Sequence, residues 1–320
     1  MNNVVVIGAG AWGTALARQA HLAGRRVTLW ARDPRRAALI HESRENPRLP
    51  GVSLAAEIHV THDLPTADLF VLAVPLQHLR SIAKMLPAGG PTLCCAKGIE
   101  AGSLALPLEI LQEEHPSRPA AILTGPTLAH EMAAGLPTAA VVAGDSSRLR
   151  SEIVAGLATQ SLRLYGNDDP VGAQVGGAAK NVIAIAAGAV VGAGLGENAR
   201  AALVTRGVAE LSRLTVALGG KAETVAGLSG MGDLLLTCTS PTSRNFSFGY
   251  ALGRGDLPSE ILASRDQVTE GVSTAPALVG RALRAGAAVP ICAAVAGILG
   301  GRITLAQAMS ALLARPLRDE

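Results

Sequence analysis

The sequence predicts an α/β domain on a doubly wound, mostly parallel sheet, followed by an all-α domain. Three observations carry this expectation. Short apolar runs alternate with helical patterns through the first half of the chain, a glycine-rich turn follows the first run, and beyond residue 167 long Ala/Leu/Val helical patterns replace the strand-like runs. The polar stretch and proline of YGNDDP at 165 to 170 place the boundary, giving a first domain over 1–167 and a second over 168–320.

In chain order, strands are expected at VVVIG (4 to 8), RVTLW (26 to 30), ADLFVLAV (67 to 74), TLCCAK (92 to 97) and AAILTG (120 to 125), with a weaker one at PTAAVVAG (137 to 144). Helices are expected between them at 12 to 23, ended by Gly24, and at 34 to 43, opened by Pro34, then at 76 to 86, 103 to 114 and 128 to 134. In the second domain, helical patterns cover 171 to 194, 198 to 218, 274 to 286, 291 to 300 and 304 to 315.

A hydrophobic content of 49% supports a sizeable core, and an aromatic content of 2% means that Ala, Val, Leu, Ile and close glycine-mediated helix packing must fill it. The net charge of +3 comes from scattered arginines without stacking aromatics, which argues against nucleic acid and suits a small anionic ligand. Cys94, Cys95, Cys238 and Cys292 show no metal-ligand spacing and read as buried, reduced thiols; no metal is expected. The first apolar run lacks a preceding basic region, and the uncharged stretch Asn181 to Gly196 is short and glycine-rich for a membrane span. A soluble, cytoplasmic protein with no membrane span is therefore expected.

GAGAWG at 8 to 13 matches G-x-G-x-x-G between the first strand and the first helix, the setting of a Rossmann-type dinucleotide site. There Gly8 permits the tight turn, Gly10 lets a pyrophosphate approach the backbone, and Gly13 lets helix and sheet pack closely. The second strand runs out as LWARDPRR, placing Arg32 where an acidic residue would meet the ribose hydroxyls of NAD. A guanidinium there pairs with a 2′-phosphate, which favours NADP(H), while Asp33 leaves NAD(H) use open. Arg35 and Arg36 read equally well as solvated helix charges. Other strands end in VPLQHLR, CAKGIE and TGPTLAHE, so Lys97 stands at the ligand-binding edge of the sheet.

Among 28 basic residues only Lys84, Lys97, Lys180 and Lys221 are lysine, and Lys180 lies inside the apolar stretch GGAAKNVIAIAAG (176 to 188). Lysine, unlike arginine, releases its proton when desolvated, so this placement suits proton transfer. Asn181 falls off the face of Lys180, whereas Gly176 and Gly177 lie about a turn earlier and either leave room for substrate or pack a neighbouring helix. Further on, GLSGMGDLLLTCTSPTSRNFSFG (227 to 249) sets Asp233 after a glycine turn and Ser243, Arg244 and Asn245 on a polar loop before a helix; arginine beside hydroxyl and amide donors suits a phosphate monoester.

The ordered set GAGAWGTALA, WARDP, AKGIE, TGPTLAHEMAAGLPTA, GGAAKNVIAI, ARAALVTRGVAE, GMGDLLLTCTSPTSRN and VTEGVST strongly resembles bacterial NAD(P)-dependent sn-glycerol-3-phosphate dehydrogenase, from residue 4 to about 315. Ala11 and Thr124, where serine is common, and Met231, where leucine is common, are mild departures. The resemblance implies reversible hydride transfer between nicotinamide and a three-carbon phosphate, dihydroxyacetone phosphate to sn-glycerol 3-phosphate, supplying glycerophospholipid synthesis. It implies Lys180 as general acid/base, and Lys97, Gly125, Thr127, Lys180, Asp233, Ser243, Arg244 and Asn245 as substrate contacts. Ala11, Trp12, Arg32, Lys97, Ala129, Arg244, Val268 and Glu270 are the implied cofactor contacts, beside Gly8, Gly10 and Gly13.

Burial among apolar neighbours, with Lys97 as a second cation, is expected to lower the proton affinity of Lys180. Two alternatives are a 3-hydroxyacid or 6-phosphogluconate type of dehydrogenase, which similarly joins a Rossmann domain to a helical one, and a non-catalytic NADP(H) sensor. The long apolar helices of the second domain are compatible with a homodimer, and equally with a core that buries the same surfaces. Replacing Arg32 with alanine should raise the KM for NADPH far more than that for NADH in steady-state assays; equal effects would remove the 2′-phosphate assignment.

Overall fold

Parallel strands covered on both faces need apolar side chains on both, so their sequences run as unbroken Val/Ile/Leu stretches instead of alternating. The computed structural model, which describes residues 1–265 and 268–314, shows this directly: every residue of LFVL at 69 to 72 is buried. The strands are β1 (Asn3–Ile7), β2 (Arg26–Trp30), β3 (Glu45–Asn46), β4 (Leu49–Ser53), β5 (His59–Thr61), β6 (Leu69–Leu72), β7 (Thr92–Cys94), β8 (Ala120–Thr124), β9 (Thr138–Ala143) and β10 (Leu162–Asn167). Eight of them form one sheet in the order β10-β9-β8-β7-β6-β1-β2-β5, while β3 and β4 make a separate hairpin.

Neighbours in the large sheet pair in parallel except β8 with β9. The six strands from β5 to β8 follow the doubly wound 3-2-1-4-5-6 order, whose switch point lies between β1 and β6. Around it pack α1 (Ala11–Leu22), α2 (Pro34–Ser43), α3 (Leu79–Ala83), α4 (Pro107–Glu114), α5 (Ala129–Ala133) and α6 (Ser147–Leu157). Val6, Leu29, Leu69 and Leu93 are fully buried at its centre. Helix α2 starts as its sequence suggests, with Pro34 in the first turn and the Asp33 carboxylate accepting from the Arg35 N–H at 3.0 Å.

The chain divides into one unit of Met1–Lys97 with Ala105–Gln174 and a second of Gly98–Leu104 with the chain from Val175 onward. The second unit is helical: α7 (Pro170–Gly192), which begins before the division, then α8 (Gly196–Ala217), α9 (Ala222–Ala226), α10 (Asp233–Thr239), α11 (Arg244–Gly253), α12 (Pro258–Ala263), α13 (Glu270–Arg284), α14 (Pro290–Leu299) and α15 (Leu305–Leu313). Helix α7 is long and apolar enough to cross a membrane, yet 89% of its most apolar window is buried inside the structure, as in a core helix.

Small residues set how closely α7 meets α11. A Cβ added at Gly188 or Gly192 would collide with the carbonyl oxygens of Phe246 and Tyr250, and one at Gly249 or Gly253 with those of Ile185 and Ala189. Each glycine pair is four residues apart, so each lies along one helix face and the two backbones touch. This crossing supplies the packing that a chain poor in aromatics requires. In α8 the buried Glu210 carboxylate caps α14, accepting from Ile291 N–H at 2.6 Å and Cys292 N–H at 3.3 Å; burial raises its proton affinity and the two amides oppose that rise.

Several expectations are corrected. The helix expected over 76 to 86 is a 3-10 turn, Leu76–His78, followed by the short α3. That expected over 103 to 114 starts only at Pro107, because Gly98–Leu104 belongs to the second unit, where the Arg281 and Arg284 guanidiniums donate to the Leu104 and Ser103 carbonyls. The polar loop expected at 243 to 245 is the start of α11: Ser243 is its cap, and Arg244 and Asn245 open it. Strand β10 alternates buried and exposed residues at the sheet edge, so no continuous apolar run announces it. Residue 315, the expected end of the last helix, lies outside the described residues.

Candidate active site

The glycine turn sits at the switch point of the sheet. Gly8 N–H donates to the Trp30 carbonyl at 3.0 Å, and Gly8 holds φ of 115°, in the region that favours glycine. A Cβ on Gly8 would strike the Ala73 carbonyl and one on Gly13 the Gly8 carbonyl, whereas at Gly10 it would meet nothing within 4 Å. Two of the three glycines are therefore required by packing, and the third leaves the turn open above the start of α1. That open backbone, with the N–H groups of a helix start beside it, is the cradle a pyrophosphate needs. Ala11 and Trp12 are half-buried on the first turn of α1, and Arg32 is exposed two residues beyond β2.

A second group stands at the ends of β7 and β8. The Gly125 carbonyl accepts from Lys97 Nζ and from Thr127 Oγ1, both at 3.3 Å, and Gly125 holds φ of 133°. Ala129 opens α5 directly afterwards. Beside Lys97, burial pushes the Cys95 thiol well up, and the Trp12 indole and the Lys97 ammonium counter it only in part.

In the helical unit, Lys180 is 8% exposed, and its Nζ donates to Asp233 Oδ1 at 2.5 Å and to Thr237 Oγ1 at 3.1 Å. Asp233 is fully buried at the first turn of α10, which a five-residue π-helical turn, Leu228–Gly232, leads into directly. Thr237, one turn further on, spends its proton on the Asp233 carbonyl at 2.6 Å and so faces Lys180 as an acceptor. Small apolar residues flank Lys180 along α7, and its head group meets the Asp233 carboxylate and the Thr237 hydroxyl. Gly176 answers to packing, since a Cβ there would collide with the Ser229 carbonyl. Nearby, burial pushes the Cys238 thiol up to about 12, with the Lys180 ammonium opposing.

The phosphate-binding candidates form a third group. Ser243 Oγ caps α11 by accepting from Phe246 N–H at 3.3 Å, and the exposed Arg244 donates to the Val268 carbonyl at 3.0 Å. Asn245 Nδ2 donates to Asn181 Oδ1 at 2.9 Å, and Gly271 N–H donates to Asn245 Oδ1 at 3.0 Å. Asn181, off the face of Lys180, therefore ties α7 to the start of α11. Val268 is half exposed, and Glu270 is the first residue of α13. Thr237 joins the site beyond the residues the sequence singles out, and its i+4 spacing from Asp233 is the signal that puts both on one face of α10.

All four cysteines are free and buried, and no group of three or more His, Cys, Asp or Glu among the described residues is placed to hold a metal. A glycine turn at the switch point of a doubly wound sheet, with a buried lysine–carboxylate pair in a helical unit, defines the class: a nicotinamide-dependent dehydrogenase. The family described as NAD-dependent glycerol-3-phosphate dehydrogenase matches with its N-terminal part over residues 3–149 and its C-terminal part over residues 169–310. The chain belongs to that family.

It is 56% identical over 316 residues to the glycerol-3-phosphate dehydrogenase (NAD(P)+) of Acidiphilium cryptum, covering 98% of this chain and 97% of that one. Identity to the protein of the same name from Rhodospirillum rubrum is 49% over 329 residues, covering 100% and 94%. Among solved structures, it is similar to glycerol-3-phosphate dehydrogenase from Coxiella burnetii, with a TM-score of 0.93, 35% identity and coverage of 98% and 99%.

Asp233→Ala would leave the Lys180 ammonium buried without its counter-ion. Denaturant unfolding is expected to show a loss of about 3–5 kcal/mol; an unchanged midpoint would mean that the pair contributes nothing to the folded state.

Proposed function

We propose that this protein is a cytoplasmic oxidoreductase that reduces dihydroxyacetone phosphate to sn-glycerol 3-phosphate, reversibly, and so supplies glycerophospholipid backbones. The observation that carries this reading is the buried Lys180 held by Asp233 and Thr237, in a chain of the glycerol-3-phosphate dehydrogenase family. Gly8, Gly10, Ala11, Trp12 and Gly13 would hold the nicotinamide dinucleotide, and Lys97, Ala129, Arg244, Val268 and Glu270 complete its contacts. Arg32 gives NADP(H) the advantage over NAD(H). The bound dinucleotide supplies the hydride.

The chain supplies binding and proton transfer. Arg244, with the Ser243 hydroxyl and an amide proton of Asn245, takes the phosphate dianion; an amide nitrogen carries two protons, so its bond to Asn181 leaves one to give. Lys97, Gly125 and Thr127 position the three-carbon unit. A carbonyl oxygen gains negative charge as hydride reaches its carbon, and the Lys180 ammonium stabilises that charge before passing it a proton. Asp233 fixes the direction of the amine; reduction uses its ammonium form as the donor, and the reverse reaction starts from the neutral amine. A homodimer through the helical unit belongs to the same reading.

The test is oxidation of NADPH on adding dihydroxyacetone phosphate, with NADH in parallel and a 3-hydroxyacid with NADP+ as control. Consumption with dihydroxyacetone phosphate alone is expected; binding without turnover would favour a sensor, and activity confined to the 3-hydroxyacid a different dehydrogenase. Lys180→Arg keeps the charge but cannot release its proton, so its kcat should fall well over tenfold. A kcat within about threefold of wild type, under about 1 kcal/mol in the barrier, would remove the acid/base role.

A further inference from the structure

The two-residue strand β3 carries Asn46 into a fully buried position beneath the glycine turn. A buried amide is stable only when its donors and acceptor are satisfied. Asn46 Oδ1 accepts from Arg48 N–H at 3.0 Å, while Nδ2 donates to the Ala9 carbonyl at 3.1 Å and to Thr14 Oγ1 at 2.6 Å. A backbone N–H only donates, so the Arg48 contact fixes which end of the amide faces the turn. Thr14 in turn gives its own proton to the Gly10 carbonyl at 2.8 Å. Asn46 thus holds the Ala9 carbonyl directly, and it supports the Gly10 carbonyl through the Thr14 hydroxyl, beside the Thr14 N–H of α1 that donates to the same oxygen at 3.0 Å.

In a trans peptide the carbonyl and the following N–H point in opposite directions. Holding the Ala9 and Gly10 carbonyls inward therefore turns the N–H groups of Gly10 and Ala11 outward, the presentation an anion requires. The excursion that carries Asn46 is itself anchored. Leu54 N–H donates to the Arg44 carbonyl at 2.8 Å, the Arg44 guanidinium donates to the Ile58 carbonyl at 2.8 Å, and Leu49, Leu54 and Ile58 are buried beneath it. The hairpin lies outside the large sheet, and while the Asn46 backbone pairs with Leu49 across it, the Asn46 side chain reaches the glycine turn.

We propose that Asn46 is a positioning residue for the pyrophosphate of the cofactor, acting through Ala9 and Thr14 to hold the glycine turn with its amides facing the ligand. The proposal rests on the reading that this turn holds the dinucleotide. Because NADPH and NADH share the pyrophosphate, losing the prop weakens both alike, unlike a change at Arg32.

In the purified full-length protein, Asn46→Asp keeps the shape and replaces the donor with an acceptor against the Ala9 carbonyl. The KM values for NADPH and NADH should rise together by about tenfold, or about 1.4 kcal/mol. The kcat at saturating cofactor and the KM for dihydroxyacetone phosphate should stay within about twofold of wild type. Thr14→Val, which removes the relaying hydroxyl at constant shape, gives the same split, and Thr14→Ser restores the wild-type values. Fluorescence titration of the wild type with NADPH and NADH separates the two readings: no saturable binding of either removes the cofactor reading itself. With that binding intact, unchanged cofactor KM values in Asn46→Asp, or a loss of kcat alone, overturn the proposal. If Asn46→Asp does not fold, the Thr14 pair decides, and an unchanged KM in Thr14→Val overturns it.

Discussion

A charged amine buried against a carboxylate is the constraint around which the helical unit is organised. Taking both Lys180 and Asp233 out of water costs several kcal/mol per ion, and only close, well-directed partners offset it. The two residues are 53 positions apart, and the structure meets that demand with a long helix of small residues on one side and a tight π-helical turn on the other. Thr237, whose proton is committed to the backbone, fills a second acceptor position at the ammonium. A group this expensive to bury is a candidate for chemistry, because its proton affinity responds to small changes in its neighbours.

Glycine does two separate jobs in reaching this arrangement. At the head of α1 it lets the chain turn sharply and leaves its backbone bare, with Asn46 fixing which peptide groups face outward. Where α7 crosses α11 it removes side chains from the contact, so that the helix carrying Lys180 and Asn181 lies directly against the one that opens with Arg244 and Asn245. Both follow from the same physics: a missing Cβ permits a backbone approach that any larger residue would block.

Much of this was legible in the sequence, and the reasons are specific. The inner strands declared themselves because double-sided burial writes unbroken apolar runs, and the glycine turn because Gly8 and Gly13 each answer to a backbone contact while Gly10 leaves the turn open. The role of Lys180 as a buried amine was visible in its neighbours, but its partner was not: nothing in local spacing says that residues 53 apart meet. Strand β10 and the β3–β4 hairpin escaped because they lie at an edge or outside the large sheet, where no continuous apolar run is required. Asn181 does lie off the face of Lys180, and helical spacing alone does not tell that its own face meets α11.

The central claim is that the Lys180 amine exchanges its proton with the substrate oxygen. A crystal structure of the protein with oxidised cofactor and sn-glycerol 3-phosphate measures this most directly. The account predicts Lys180 Nζ within about 2.6–3.2 Å of the oxygen on the reacting carbon. A nitrogen still confined to Asp233 and Thr237, with another proton-carrying group at that oxygen, would contradict it.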